Sequence, residues 1–420
     1  MALVVSSMIG TGIFTTTGFM VGDLGAPWQV LAVWALAGGL ALAGAAVYAE
    51  LGAMMPRAGG EYVYLTRAYH PAVGFLAGWI AVFVGFSAPI AASALAFGRY
   101  LHAIAPAVNV RGAAFALVAL TTVAHARDVR RAGFAQTALT ASILAVVVAF
   151  AVAALASGRL EASRLATSWP LSPSTGGAGA WAVSLVYATY AYFGWNAAAY
   201  VAGEVRAPDR TLPRALVGGV ALVAALYLGL NAVFLAAAPR AALAGQVEVG
   251  DVAARALFGD RGGAAMSAAI ALALGGSVSA LVMTGARVVK AMADDGVLFG
   301  ALGRINGRGA PTAAVVLLGA LATLGVGTSA VEPLLVYAGF TLTLSSAATV
   351  ASAFVLRRRE PAATRPHRAL AWPWSGAAYL ALAAFMLAFG AREKPLETLA
   401  GAATLAGGGV AWALWRRRRR

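Results

Sequence analysis

Residues 8–14 read MIGTGIF and lie inside the first long apolar segment of the chain. Gly10 and Gly12 each weaken a helix by roughly 1 kcal/mol relative to alanine, so we predict an interrupted helix here. In lipid, such a break is tolerated only where it is buried in protein or lines a wet cavity. A break in mid-membrane therefore points to a transporter's binding site. The alternative is a small-residue face that packs against a neighbouring helix.

The composition of the 420-residue chain is that of an integral membrane protein without a large soluble domain. Its residues are 61% hydrophobic and 11% charged, and its mean hydropathy is +0.79. Soluble domains carry roughly 25% charged residues. The net charge of +15 is confined to short connections between apolar runs, which argues against a nucleic-acid partner and for the lipid bilayer.

The apolar runs predict twelve transmembrane helices, since roughly 20 apolar residues cross a bilayer. The predicted spans are residues 2–22, 28–54, 72–100, 112–126, 133–157, 180–202, 214–238, 263–290, 310–328, 331–356, 373–391 and 396–415. Most Lys and Arg residues lie in the connections that share a side with the N-terminus. The positive-inside rule therefore predicts that the N- and C-termini are both cytoplasmic.

Three further segments carry expectations of their own. Residues 158–179 are rich in Ser, Pro and Gly and are predicted to form a loop. The apolar spacing of residues 251–258 favours a short amphipathic helix over an irregular loop. The N-terminus lacks the basic region of a signal peptide and is interpreted as the first span. Because so few residues precede the break, either translation starts further upstream or this half-helix is short.

Residues 187–196, YATYAYFGWN, form a second irregular stretch, inside span six. Gly194 and small residues stand among bulky aromatic rings, and Asn196 is costly in hydrocarbon unless its amide is paired. One interpretation is aromatic packing, with the asparagine joining two helices. The other is a second unwound segment with an aromatic gate.

The two irregular stretches lie five spans apart, and an odd number of spans reverses the direction of the chain through the membrane. Broken helices at matching places in inverted halves are typical of transporters built from inverted repeats. We therefore predict a first five-helix repeat over residues 1–157 and an inverted second repeat over residues 180–356. Spans eleven and twelve form a peripheral hairpin over residues 373–415.

Broken helices suit a zwitterion. N–H groups at the start of a half-helix attract a carboxylate, and carbonyls at the end of a half-helix accept from an ammonium group. Neither stretch contains a charged side chain. An α-amino acid therefore fits better than a polyamine, for which we expect a carboxylate near the site.

No cofactor or metal is expected. The chain has no Cys, and its histidines (His70, His102, His125 and His367) lack metal-ligand spacing and are expected at surfaces or in loops. An enzyme is not predicted because H-E-x-x-H, paired intramembrane carboxylates and a Ser/His pair are missing. A channel is disfavoured because no selectivity filter or charged ring is visible. Without Cys, a disulfide-linked partner subunit is excluded.

Several motifs together resemble the amino acid–polyamine–organocation (APC) superfamily of permeases, with closest similarity to its bacterial branch that is like the L-type amino acid transporters. The matching stretches are GTGIF (10–14), YAEL (48–51), PRAGGEYVY (56–64), FLAGW (75–79), GWN (194–196), GEVRAPDRTLPRA (203–215) and residues 287–296. They follow the family's order over most of the first ten spans. The resemblance implies a LeuT-type fold with spans one and six discontinuous, in a bacterial plasma (inner) membrane.

The resemblance also implies a secondary active amino acid transporter, either a symporter or an exchanger, that works by alternating access. The alternative is a polyamine, organic amine or organic-acid permease on the same fold. The implied substrate-binding positions are Met8, Thr11, Gly12, Ile13, Tyr190, Ala191, Phe193 and Gly194. Backbone N–H groups at residues 11–13 would meet the carboxylate. Carbonyls near Met8, Tyr190, Ala191 and Phe193 would meet the ammonium group. Phe193 either crowds the site, which favours small neutral substrates, or packs against span one.

The resemblance implies gating roles as well. Tyr190 falls at an aromatic outer gate, and Asn196 is expected to brace the unwound segment. Arg57, Glu61 and Glu204 lie in connections predicted to be cytoplasmic. They form either an inner-gate network or ordinary solvated loop charge. The acidic residue inside a span's end, at position 50, is expected near the interface.

The coupling ion is not determined by these motifs. Many bacterial relatives carry a lysine in span five that is implicated in proton coupling, but residues 136–144 of this chain read QTALTASIL. Ser277 and Ser279 in span eight are candidate sodium ligands or ordinary packing serines. Sodium symport, proton symport through another group, exchange and facilitated uptake all remain open.

Overall fold

The computed structural model describes residues 1–57, 59–127, 144–169, 177–200 and 202–418, and all regular structure within these ranges is helical. Helix is the expected outcome of such a composition, because a chain in lipid must satisfy its backbone N–H and C=O groups within each segment. The predicted all-α class is confirmed.

The α-helices are numbered along the chain. They are α1 (Ala2–Met8), α2 (Thr11–Asp23), α3 (Pro27–Met54), α4 (Glu61–Ala68), α5 (Pro71–Ile80), α6 (Ser87–Ile104), α7 (Val110–Arg127), α8 (Leu144–Ala156), α9 (Ala178–Tyr192), α10 (Ala197–Tyr200), α11 (Pro208–Ala237), α12 (Arg240–Leu243), α13 (Val249–Asp294), α14 (Thr312–Thr328), α15 (Val331–Arg359), α16 (Trp374–Glu393) and α17 (Pro395–Arg418). Short 3₁₀ turns occupy Ala162–Ala166, Ala202–Glu204 and Gly300–Gly303.

Seven helical segments among the described residues are long and apolar enough to cross a membrane. They are α3, α5 joined to α6, α11, α13, α15, α16 and α17; α8 and α14 are shorter apolar helices. The chain is thus a multi-pass membrane protein, as predicted. The count of twelve spans stays a prediction, and part of predicted span five lies in residues 128–143, outside the described ranges.

Both predicted interruptions are present. Between α1 and α2 the backbone leaves helical geometry at Ile9 (φ −73°, ψ 96°) and Gly10 (φ −147°, ψ −149°). After α9 it turns extended at Phe193 (φ −58°, ψ 148°), and Gly194 takes φ +107°. That positive φ favours glycine, which explains the residue type at this turn.

The helix predicted for residues 251–258 exists, but as the first part of α13 rather than as a separate element. Gly259, at φ 72°, kinks this helix, which then continues through predicted span eight to Asp294. The predicted loop at 158–179 contains one 3₁₀ turn, and residues 170–176 lie outside the described part of the chain.

A third irregularity is a π-helical turn, Ala81–Phe86, that joins α5 to α6 and was not predicted. Pro89 lies just beyond it. Proline lacks an N–H donor, and its ring clashes with the carbonyl four residues earlier, here that of Gly85. Widening the helix relieves this clash, and π turns often occur at functional sites.

Four helix pairs whose members lie five predicted spans apart pack against each other. They are α2 with α9, α3 with α11, α6 with α13, and α7 with α14. The pairs join predicted spans one and six, two and seven, three and eight, and four and nine. The two interrupted segments therefore meet in the interior of the helical bundle.

Candidate functional site

A cavity of about 90 Å³ lies where the two interrupted segments meet. Of the predicted site residues it is lined by Met8, Thr11, Gly12, Tyr190, Ala191, Phe193, Gly194, Asn196 and Ser277. The π turn contributes further lining through Ala81, Gly85 and Phe86. Ile13 is buried beside the cavity without lining it. No charged side chain occurs in the described lining.

The glycines of the two breaks permit a close approach between them. A Cβ atom on Gly12 would lie 2.4 Å from the Ala191 Cα atom, and one on Gly194 would lie 2.2 Å from the Ser7 carbonyl oxygen. Both distances are far inside van der Waals contact. The two interpretations of the glycines are therefore compatible, because the same residues pack closely and line the cavity.

The start of α2 faces the cavity without a side-chain cap. Its N-cap is Gly10, and no side chain hydrogen-bonds there to the first turn. Thr11 instead shares a hydrogen bond between its hydroxyl and that of Ser93 on α6. An uncapped helix start presents free N–H groups and the positive end of the helix dipole. This geometry suits an anionic group in the cavity.

Tyr227, on α11, connects the two breaks and was missed by the sequence reasoning. Its hydroxyl donates to the Met8 carbonyl oxygen at 2.6 Å and lies 3.3 Å from the Ala191 carbonyl oxygen. The ring is buried in edge-to-face contact with Trp34. A tyrosine inside an apolar run is the only sequence signal of this role, and it does not reveal the partner. A carbonyl oxygen has two lone pairs, so Met8 retains capacity for a second donor.

Ser277 and Ser279, on the same helix, contact different parts of the structure. Ser277 lines the cavity opposite Gly10, whose Cβ position is 3.0 Å from the serine hydroxyl. Ser279 instead shares a 2.8 Å hydrogen bond with His125 Nε2. The expectation that His125 lies at a surface or in a loop is wrong, because it is buried inside the bundle at the end of α7.

Glu61, the first residue of α4, is buried although it follows a loop. Gly59 and Gly60 precede it with φ +120° and +52°. These positive φ values favour glycine and turn the chain inward at this point. A Cβ atom on Gly60 would also lie 2.9 Å from the Tyr200 ring. The GG of the PRAGGEYVY motif thus carries the glutamate into the bundle.

The partners of Glu61 in the described residues are all neutral. Its carboxylate accepts from the Tyr48 hydroxyl at 2.6 Å, the Ser345 hydroxyl at 2.7 Å and Asn196 Nδ2 at 3.1 Å, with the Ser346 hydroxyl at 3.4 Å. These groups come from α3, from α15 and from the second break. Asn196 therefore links the unwound segment to Glu61. Its supporting role in transport stays a prediction.

Of the other predicted gate charges, Arg57 lies outside this network. Arg57 is exposed and lies 3.6 Å from Asp295. Glu204 belongs to the 3₁₀ turn that follows α10. Arg57 is thus exposed to solvent and Glu61 is shielded from it. The choice between an inner-gate network and solvated loop charge stays a prediction.

Glu50 is shielded from solvent, and its expected place near the interface stays a prediction. It is buried at the end of α3, where Arg357 binds both of its oxygens, with Nε at 3.0 Å and Nη2 at 2.6 Å. Arg365 lies 3.5 Å away, and the Ala369 amide donates at 2.7 Å. The glutamate thus holds the segment after α15 against the bundle. The sequence does not indicate this pairing because the partners are about 300 residues away.

A second cavity, of about 430 Å³, lies beside the first. Tyr200 lines both, which makes its ring a wall between them. The second cavity is also lined by Lys290 and Asp294, whose side chains are partly exposed to solvent. It therefore leads from the surface of the bundle toward the inner cavity. No cluster of three or more His, Asp or Glu residues placed to hold a metal occurs in the described ranges.

The helices and the cavity between broken segments define a multi-pass membrane protein built around an internal cavity. A protein-family model described as "Amino acid permease" matches residues 1–405. The chain belongs to this amino acid permease family, and the resemblance found in its motifs is confirmed.

Individual proteins that are similar to this chain are also amino acid transporters. The Asc-type amino acid transporter 1 of Mus musculus is 28% identical over 413 residues, covering 94% of this chain and 76% of the mouse protein. The large neutral amino acids transporter small subunit 2 of Rattus norvegicus is 30% identical, covering 94% and 75%. The b(0,+)-type amino acid transporter 1 of Mus musculus is 28% identical, covering 87% and 76%. These relatives are transporters.

Proposed function

We propose that this permease is a secondary active transporter of neutral, preferably small α-amino acids and works by alternating access. The observation that carries the proposal is the pairing of an uncapped helix start with the free ends of two other half-helices around one cavity without charged lining. An α-amino acid carries a carboxylate and an ammonium group on one carbon. Both can be bound there by backbone groups alone.

In this proposal, the substrate carboxylate meets the N–H groups of residues 11–13. The ammonium group meets the carbonyls of Met8, Ala191 and Phe193. The Tyr227 hydroxyl contacts the Met8 and Ala191 carbonyls and fixes their positions. The ammonium site is therefore formed before the substrate binds. Polyamines are disfavoured because no carboxylate lines the described cavity.

The preference for small side chains rests on the aromatic rings around the cavity. Tyr190, Phe193, Phe86 and Tyr200 surround a cavity of about 90 Å³. One relative is named for large neutral amino acids, so side-chain size is where we expect this chain to differ. Phe193 is the ring that stands at the break itself.

We propose the LeuT-type arrangement of two inverted five-helix repeats, residues 1–157 and 180–356, with residues 373–415 outside them. Packing of each of the first four predicted spans against the span five places later supports it, because a pseudo-two-fold axis between the halves brings such pairs together. The Lys and Arg distribution supports cytoplasmic termini in a bacterial plasma membrane. The second cavity then opens toward the cytoplasm.

The test is transport by the purified chain in proteoliposomes with a panel of radiolabelled amino acids. We expect counterflow of small neutral amino acids such as alanine and serine. Phe193→Ala enlarges the cavity and is expected to raise leucine transport relative to alanine by about tenfold, near 1.4 kcal/mol of discrimination. Phe115→Ala, a partly exposed phenylalanine away from the cavity, is the matched control. Absence of counterflow for every amino acid would overturn the proposed function.

A further inference from the structure

Three carboxylates are almost fully buried in the described part of the chain, and they differ in their partners. Glu50, Glu61 and Asp251 are 2%, 3% and 6% exposed. Glu50 is paired with Arg357, and Asp251 with Arg255, each at 2.6 Å. Glu61 forms no ion pair with any described residue. A buried charge without an opposite charge costs several kcal/mol, which sets Glu61 apart from the two paired carboxylates.

The groups around Glu61 can accommodate both of its protonation states. Toward the carboxylate, the hydroxyls of Tyr48 and Ser345 donate. Toward a protonated carboxyl, a hydroxyl can rotate and accept, because it carries both a hydrogen and lone pairs. Arginine has no acceptor and would hold the glutamate in its charged form. The donor set around Glu61 therefore permits proton exchange, whereas the set around Glu50 opposes it.

None of the hydrogen bonds that the described residues make with Glu61 comes from a charged side chain. The titratable side chains that face Glu61 from the packed elements are Tyr48 on α3, Tyr64 on α4, Tyr200 on α10 and Tyr379 on α16. From α15 it meets only serine hydroxyls. Tyrosines are neutral at physiological pH. The cage of described residues thus supplies no cationic side chain to Glu61, which leaves its charge to be neutralised by a proton.

Glu61 is connected directly to the second break. Asn196 follows the unwound residues, lines the inner cavity and donates its amide to the carboxylate. Substrate binding at the break, or movement of α9 and α10 during alternating access, changes this contact. The other donors sit on α3 and α15, so a movement of the second break relative to these helices would change the set of donors around Glu61.

Glu61 also lies close to a route to water. Asn196 Nδ2 is 3.3 Å from the Tyr200 hydroxyl, and Tyr200 forms the wall of the second cavity. That cavity reaches partly exposed charges at Lys290 and Asp294. Displacement of Tyr200 and Asn196 would open Glu61 to solvent on this side of the membrane.

We propose that Glu61 is the proton-binding site of the transporter and couples proton movement to amino acid movement, which rests on the proposed function. In the binding step, one carboxylate oxygen forms an O–H bond with a proton from solvent, and the side chain changes from −1 to neutral. In the release step that bond breaks, and the proton leaves through the second cavity. One proton then crosses with each amino acid, without a lysine in span five.

The experiment uses the full chain in proteoliposomes with the membrane potential clamped. With an inward acid gradient, wild type is expected to accumulate alanine several-fold above equilibrium, and alanine addition is expected to acidify the lumen, read with a trapped pH dye. Glu61→Gln is expected to retain alanine counterflow but to lose both accumulation and acidification. Accumulation by Glu61→Gln equal to wild type would overturn the proposal, as would wild-type counterflow without proton flux between pH 5 and 8.

Three further variants separate coupling from folding. Glu61→Asp keeps the acid and is expected to restore proton flux with a displaced pH profile. Tyr48→Phe removes a donor to the anion, so the midpoint of the pH–transport profile should rise by about one unit. Glu360→Gln, at an exposed acid paired with Arg67 on α4, is the control and should leave the profile unchanged. An unchanged midpoint for Tyr48→Phe would contradict the proposal even if Glu61→Gln fails to fold. Loss of wild-type counterflow would instead count against the transport function itself.

Discussion

Glu50 and Glu61 lie on either side of the turn between α3 and α4, and both are buried, yet they are held in different ways. Glu50 meets two guanidinium groups and a backbone amide. Glu61 meets only hydroxyls and an amide among the described residues. An ion pair keeps an acid charged, and its loss leaves an uncompensated charge. Neutral donors do not fix the charge of the acid they surround. Such a carboxylate can gain and lose a proton when the protein changes conformation.

The largest expected effect in this comparison comes from breaking the ion pair. Arg357→Ala leaves Glu50 buried beside Arg365 alone and removes the cation–π contact with Trp372, 4.3 Å from the ring centroid. We expect a loss of about 3–5 kcal/mol in the free energy of unfolding. The measurement is denaturant or thermal unfolding in detergent. Arg358→Ala, at the exposed neighbour, is the matched control, and equal losses for the two variants would contradict the structural role of the pair.

A smaller effect is expected at the neutral cage. Tyr48 and Tyr64 are both buried and meet edge to face at 6.0 Å. Only Tyr48 donates to Glu61, whereas the Tyr64 hydroxyl has no hydrogen-bond partner among the described residues. Tyr48→Phe should therefore cost about 1.5–3 kcal/mol of unfolding free energy, and Tyr64→Phe should be neutral or stabilising. The same unfolding assay measures both variants. A larger loss of unfolding free energy for Tyr64→Phe than for Tyr48→Phe would show that the donor to Glu61 is misassigned.

The smallest effect is expected at the exposed pair of Arg67 and Glu360. The hydrogen bond from Arg67 lowers the pKa of Glu360 below its ordinary value. The stabilisation is therefore present at neutral pH, above the unfolded-state pKa, and is lost as the pH falls through the folded-state pKa. Solvent screening limits it to less than about 1 kcal/mol. Comparing wild type with Glu360→Gln at pH 7 and pH 4 tests this, and a difference that grows toward pH 4 would have the wrong sign.

Much of the fold could be predicted from the chain because its causes are local. Apolar run lengths indicated the helices, and clustered small residues indicated the breaks at residues 9–10 and 193–196. The π turn before Pro89 escaped prediction because proline indicates a disturbance without its form. His125 escaped because no local pattern separates a loop histidine from one that enters the bundle.

In the candidate site, too, the local features could be predicted from the sequence and the contacts between distant helices could not. The backbone groups of the cavity lie within the breaks, so residues such as Gly12 and Gly194 could be named in advance. Tyr227 could not, because its contact with Met8 joins two spans that are far apart in sequence. Ser277 and Ser279 are two residues apart on one helix, and only the structure shows that they face different neighbours.

By itself, the sequence determined the membrane class, the helices, the positions of the breaks and the lack of charge within them. These depend on hydrophobicity and on backbone preferences over a few residues. Only the tertiary structure decided which buried acid is paired, which is caged by neutral donors, and which side chains hold the two breaks together. The physical reason is that such partners lie on different helices, as Glu61 and Ser345 do, and are chosen by packing rather than by spacing along the chain.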